Sequence, residues 1–118
     1  MKNFLERILN VIENEIIPET VKGVASGNKV FGGAILRKKD LSTVTIGVNQ
    51  EIKNPLFHGE ISTLNKFFTE NKNIPKEELL FLSTHEPCPM CLSAITWAGF
   101  DTIYYFFTYE ETKKMFNI

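Results

Sequence analysis

The two cysteines of this 118-residue chain stand three positions apart in Pro87-Cys88-Pro89-Met90-Cys91, and His58-Gly59-Glu60 lies thirty residues upstream of the first. No other feature constrains the fold as strongly. If the histidine, the carboxylate and the thiol pair act together, the chain must cross the molecule between them and return. The intervening residues supply the means. Ile61, Leu64, Phe67 and Phe68 recur at helical spacing from His58 to about Asn71, and a polar connection with Pro75 follows. Leu79-Leu80-Phe81-Leu82 then reads as a short buried strand, and Cys91 to Ala98 as a second helix with Gly99 at its stop. His58, Cys88 and Cys91 therefore each stand where a helix begins.

The remaining elements follow from the same patterning. Phe4, Leu5, Ile8, Leu9, Ile12 and Ile16 form one face of an amphipathic first helix, which Pro18 is expected to close. Val30 to Leu36, with a Gly32-Gly33 step, and the alternating Thr43 to Val48 read as a hairpin around Arg37-Lys38-Lys39-Asp40. The glycines mark a close approach of another backbone or a ligand, or a bulge. Residues 49–57 contain Asn54-Pro55 and read as a loop. Thr102 to Phe107 is expected to be a second buried strand, and Glu110 to Phe116 a last short helix. The order α-β-β-α-β-α-β-α implies a mixed sheet covered by helices on both faces, in one compact domain over residues 1–118.

Composition narrows the class. A hydrophobic content of 43% is enough for a core that needs neither metal nor disulfide for bulk stability. A net charge of -1 gives no sign of nonspecific nucleic-acid affinity, and the basic run at the hairpin tip reads as a solvated turn. The N-terminus lacks the apolar stretch of a signal peptide, and no run approaches the roughly 18 apolar residues of a membrane span. Two cysteines so close together imply a reducing, cytoplasmic setting and a chemical use of the pair.

A lone Cys-x-x-Cys is ambiguous between a redox pair, half a zinc site and coincidence. Thiolates at a helix N-terminus suit both the redox and the metal readings. Glu60 breaks the tie. Catalytic zinc commonly takes three protein ligands, for which His58, Cys88 and Cys91 are the candidates, and keeps a fourth position for water. It lowers the pKa of that water from about 15.7 toward about 7. A carboxylate that is not itself a ligand must then carry the water's proton onward, and Glu60 stands two residues from His58. His85 reads as a satisfied histidine outside the ligand set.

A histidine, a spacer and a glutamate, followed by Pro-Cys-x-x-Cys, make the zinc deaminase pattern. At these residues the sequence resembles the cytidine and deoxycytidylate deaminase superfamily. His58-Gly59-Glu60-Ile61-Ser62-Thr63-Leu64 is similar to the active-site helix of fungal cytosine deaminases. Glu86 to Ile95, followed by Trp97-Ala98, is more similar to bacterial guanine deaminases and is shared in part with transfer-RNA adenosine deaminases. The resemblance implies an α/β, three-layer αβα cytidine deaminase-like fold with Zn2+ on His58, Cys88 and Cys91, Glu60 as proton shuttle, and a homodimer. It implies substrate contacts from the Gly59 N–H and from an upstream asparagine, for which Asn49 is the nearest candidate. Trp97 and Phe57 are candidates for packing on a flat base, or for the core, and Asn54-Pro55 for shaping the pocket wall. Relatives usually continue past a fourth strand. A sequence ending at Ile118 leaves the pocket open, covered by a neighbouring subunit, or part of a truncated protein. The expected activity is deamination of a small nucleobase, nucleoside or nucleotide. The alternatives are a nucleic-acid adenosine deaminase and a non-catalytic zinc-stabilised binding module.

Overall fold

The computed structural model describes residues 2–70 and 73–116. Helix α1 (Lys2–Val11) runs through a π-helical turn (Ile12–Ile16) directly into α2 (Ile17–Ala25). Pro18 therefore does not close the first helix. In a regular helix its ring would meet the carbonyl of Asn14, four residues back, and remove a hydrogen bond. The wider turn before it resets the ladder, so Pro18 falls in the first turn of α2, where a missing N–H costs little.

The hairpin follows as β1 (Gly32–Arg37) and β2 (Thr43–Val48). Then come α3 (Gly59–Thr69), a 3-10 turn (Lys76–Glu78), β3 (Leu79–His85), α4 (Pro89–Trp97), β4 (Ile103–Phe107) and α5 (Tyr109–Phe116). The end of α3 expected near Asn71 lies outside the described residues. The strand order is β2-β1-β3-β4, with β1 antiparallel to both β2 and β3, and β4 parallel to β3. The sheet is therefore mixed, as the element order implies.

Period-two alternation along β1 and β3 splits the core between the two faces. Ala34, Leu36, Leu80 and Leu82 pack with Ile8, Val11, Ile12 and Ile16 of the first helical arm. Ile35, Leu79 and Phe81 pack on the other face with Leu64 and Phe67 of α3, Ile95 of α4 and Phe100. Burial of each large side chain contributes about 1.5–3 kcal/mol, which fixes α3 and α4 side by side on one face.

The sheet glycines mark a backbone approach. A Cβ on Gly47 would lie 2.6 Å from the Thr63 backbone, and one on Gly59 would lie 2.9 Å from the backbone of Gly32. Helix α3 thus rests on β1 and β2 with no side chain between. This close seat sets the depth at which the start of α3 meets the ends of the strands.

One expectation about β4 fails. The strand forms, but Tyr104, Tyr105 and Phe106 are 41%, 45% and 49% exposed. Among the described residues β4 pairs only with β3, so it is an edge strand. An apolar aromatic run has the same composition at an edge as at the centre. No helix of the described residues is long and apolar enough to cross a membrane.

Candidate metal centre

Two helix N-termini converge at one end of the sheet, where β2, β3 and β4 finish and β1 begins. His58 is the N-cap of α3 and Cys88 the N-cap of α4, both in extended conformation, while Cys91 lies in the first turn of α4. Neither capping side chain bonds to its own helix N-terminus, which leaves both free to face each other. Pro89 at the start of α4 supplies a preset φ where no N–H is needed. An Asx turn at Asn54, whose Oδ1 accepts from Leu56 N at 2.9 Å, brings the preceding loop round to His58.

His58 Nδ1 lies 3.6 Å from Cys88 Sγ and 3.6 Å from Cys91 Sγ. The three ligand atoms all lie within 4.8 Å of one another. Tetrahedral zinc, with bonds of about 2.3 Å to sulfur and 2.0–2.1 Å to nitrogen, separates nitrogen from sulfur by about 3.6 Å. The donor set and its spacing therefore fit zinc. Burial, with the Glu60 carboxylate and Cys88 beside it, pushes the Cys91 thiol well above its ordinary range. A sulfur in that position becomes a thiolate only beside a strong positive charge, and a metal ion supplies one.

Glu60, in the first turn of α3, is 6% exposed. Burial raises the proton affinity of its carboxyl, and hydrogen bonds from its own backbone and Ser83, with His58 nearby, oppose the rise. Ser83 Oγ sits 3.3 Å from Glu60 Oε2 and 2.5 Å from the His85 carbonyl. A carboxyl held in this way binds its proton more tightly than an exposed glutamate does.

A cleft of about 360 Å³ opens beside these groups, lined by Phe31, His58, Glu60, His85, Glu86, Cys88, Tyr109, Thr112 and Lys113. Helix α5 supplies the last three. It starts at a capping box in which Thr108 Oγ1 accepts from Glu111 N, and Glu111 Oε1 accepts from Thr108 N. Tyr109 docks it beside the cysteine motif, its N–H on Glu86 and its hydroxyl on the Pro87 carbonyl.

The structure thus brings His58, Glu60, Cys88 and Cys91 together. It does not bring Trp97 or Asn49 to the cleft. Trp97 ends α4, nine residues and about 13 Å of helix from Cys88, and is 94% exposed. Asn49 is fully buried, and its carboxamide is engaged by Lys29 N, Glu51 N and the Glu51 carboxylate. Gly59 is packed on the Phe31–Gly32 backbone next to His58. His85 stays outside the ligand set. Its Nδ1 lies 2.7 Å from Thr84 Oγ1, and its ring is boxed by Phe31, Phe107 and Phe116. Its Nε2 has no partner among the described residues. Sequence reasoning missed the cleft positions of Tyr109, Thr112 and Lys113. The Thr108–Glu111 box signals the helix start but not the direction in which the helix folds back.

The family profile described as cytidine and deoxycytidylate deaminase zinc-binding region matches residues 15–107. No curated protein sequence matches the chain. Among solved structures, guanine deaminase from Bacillus subtilis superposes with a TM-score of 0.70 at 23% identity, over 85% of this chain and 64% of that one. A transfer-RNA A34 deaminase gives 0.61 at 22% identity, over 75% and 68%. The dCMP deaminase of cyanophage S-TIM5 gives 0.53 at 20% identity, over 86% and 87%. The chain spans less than two thirds of the length of the guanine deaminase. These likenesses show the fold, and with the profile match over most of the chain they lead to one assignment. The chain belongs to the cytidine and deoxycytidylate deaminase zinc-binding family.

Proposed function

We propose that residues 1–118 act as one zinc-dependent deaminase domain that hydrolytically removes an amino group from a small nucleobase, nucleoside or nucleotide. In this reading His58, Cys88 and Cys91 hold Zn2+. The observation that carries it is the pair of 3.6 Å nitrogen–sulfur separations with the buried Glu60 carboxyl alongside. When bound, zinc supplies Lewis acidity that makes water a nucleophile at neutral pH.

The protein's own groups do the rest. Glu60 takes one proton from the attacking water and delivers it to the ring nitrogen, then takes the second from the added hydroxyl and delivers it to the departing amine. Water adds at the amine-bearing carbon, the carbon–nitrogen bond breaks, and ammonia leaves a carbonyl behind. The Gly59 N–H, in the first turn of α3 where no intrahelical acceptor exists, is the donor offered to the substrate ring. The desolvated setting of Glu60 matches its carboxyl to proton transfer in both directions.

A net charge of -1 supports a small substrate, because a nucleic-acid reader draws much of its affinity from phosphate contacts. A cytoplasmic homodimer belongs to the same reading. The half-exposed aromatic residues of edge strand β4 support the dimer, and the unpaired Cys88 and Cys91 support a reducing compartment.

The test is ammonia release by the zinc-loaded protein across cytosine, guanine, adenine, their nucleosides and nucleotides, and transfer RNA. Turnover of a small compound that disappears in Glu60→Ala is the expected result. Turnover of transfer RNA alone would replace the substrate class. Silence across the panel with zinc bound would reduce the domain to a zinc-stabilised binding module.

A further inference from the structure

We infer that Glu51 is a positioning residue for His58, holding the imidazole from behind so that Nδ1 faces the two sulfurs. The inference rests on the zinc reading above and adds a residue to it.

With Nδ1 directed at Cys88 and Cys91, Nε2 faces the other way. There Glu51 Oε1 stands 3.9 Å from it. The carboxylate is not a loose surface group, for its side chain is only 23% exposed. Its Oε2 accepts from Asn49 Nδ2 at 2.6 Å and pairs with Lys29 Nζ at 3.4 Å. Asn49 is in turn fixed on three sides. Its backbone N–H donates to the Phe31 carbonyl, and its Oδ1 accepts from the N–H groups of Lys29 and Glu51. Closure of the loop by Gln50 N on the Phe57 carbonyl, at 2.8 Å, sets Glu51 alongside His58.

The bland reading makes Glu51 a loop tie to Lys29. The division of its oxygens argues otherwise. Oε2 carries the strong Asn49 bond, while Oε1, the oxygen nearer His58, has only a long 3.5 Å contact with Lys29. A closing motion of about 1 Å brings Oε1 to hydrogen-bond distance of Nε2. Accepting the Nε2–H fixes the neutral tautomer and leaves the Nδ1 lone pair for the metal, the usual service of a carboxylate behind a histidine ligand. The buried Asn49, which the sequence suggests as a substrate contact, acquires a different use as the clamp on this carboxylate.

Zinc affinity by chelator competition tests the inference, on wild type, Glu51→Ala, Glu51→Gln and Lys29→Ala, with metal-free melting temperature recorded for each. Glu51→Ala is expected to weaken zinc binding by about 10–100-fold. Glu51→Gln, which keeps an acceptor oxygen, recovers part of the loss, and Lys29→Ala stays within about threefold of wild type. Nitrogen-edited NMR of zinc-loaded wild type is expected to show an exchange-protected proton on His58 Nε2. It needs no variant to fold. Affinity in Glu51→Ala within about threefold of wild type would overturn the inference alone. So would an equal loss in Lys29→Ala, or a freely exchanging Nε2 proton. Failure of wild type to bind zinc would overturn the zinc reading with it.

Discussion

Replacing Gly47 by alanine tests how the fold sets the site. The added Cβ would stand 2.4 Å from Thr63 Oγ1 and 2.6 Å from both Thr63 Cα and N. Carbon atoms pack at about 3.5–4.0 Å, so relief requires a movement of about 1 Å. Thr63 is fully buried, and the atoms in the way are helix backbone, so no side chain can swing clear. Either edge strand β2 or helix α3 must move. Overpacking of this kind costs about 1–3 kcal/mol. At roughly 4 °C per kcal/mol for a chain of this size, the melting temperature should fall by about 4–12 °C. Displacement of α3 also carries His58 from its 3.6 Å distances to both sulfurs, so zinc affinity should fall with stability. The assay is thermal melting with and without zinc, plus chelator competition. Gly23→Ala is the control, since its Cβ would meet nothing closer than 3.8 Å within α2. There alanine should raise stability by about 0.4–1 kcal/mol. A Gly47→Ala protein that melts within about 2 °C of wild type, half the smallest fall expected, and binds zinc as well would refute the argument.

Other substitutions separate the roles within the site. Cys91→Ser should abolish stoichiometric zinc binding and the zinc-dependent rise in melting temperature, read by metal analysis and calorimetry. Glu60→Gln should keep zinc and fold but lose at least about 100-fold in turnover, as removal of a general acid–base does; unchanged ammonia release would remove Glu60 from the chemistry. His85 gives a pH signature. Burial lowers its pKa to about 4 from an ordinary 6.5, so the folded state disfavours the protonated ring. Its stabilising effect is complete above pH 6.5 and is lost as pH falls from 6.5 to about 4, on the order of 2 kcal/mol after allowance for solvent screening. Urea midpoints at pH 7 and pH 4.5 should therefore fall more steeply in wild type than in His85→Leu.

What was legible in the sequence has a common physical basis. The starts of α3 and α4 were readable because turn residues, proline and 3.6-residue periodicity coincide at His58 and Cys88. The hairpin was readable from strict alternation over Thr43–Val48, and of the readings left open for the Gly32-Gly33 step the structure selects a backbone approach, that of Gly59 at the start of α3. The failures concern position relative to other elements. Pro18 looks like a stop because the π-helical turn that accommodates it has no composition signature. The aromatic run in β4 reads as buried because sequence does not distinguish an edge from a centre. Trp97 sits six residues past Cys91, yet the rise of α4 carries it away from the cleft. Glu51 was overlooked because its meeting with His58 depends on how the loop closes through Asn49 and Phe57.

The most direct measurement is zinc-edge X-ray absorption on the purified protein, with metal content determined on the same sample. The account predicts one zinc per chain, with two sulfurs at about 2.3 Å, one imidazole nitrogen at about 2.0–2.1 Å and a further light-atom ligand. A shell of four sulfurs, a zinc shared between two chains, or a protein that retains no zinc while Cys88 and Cys91 react freely would contradict it.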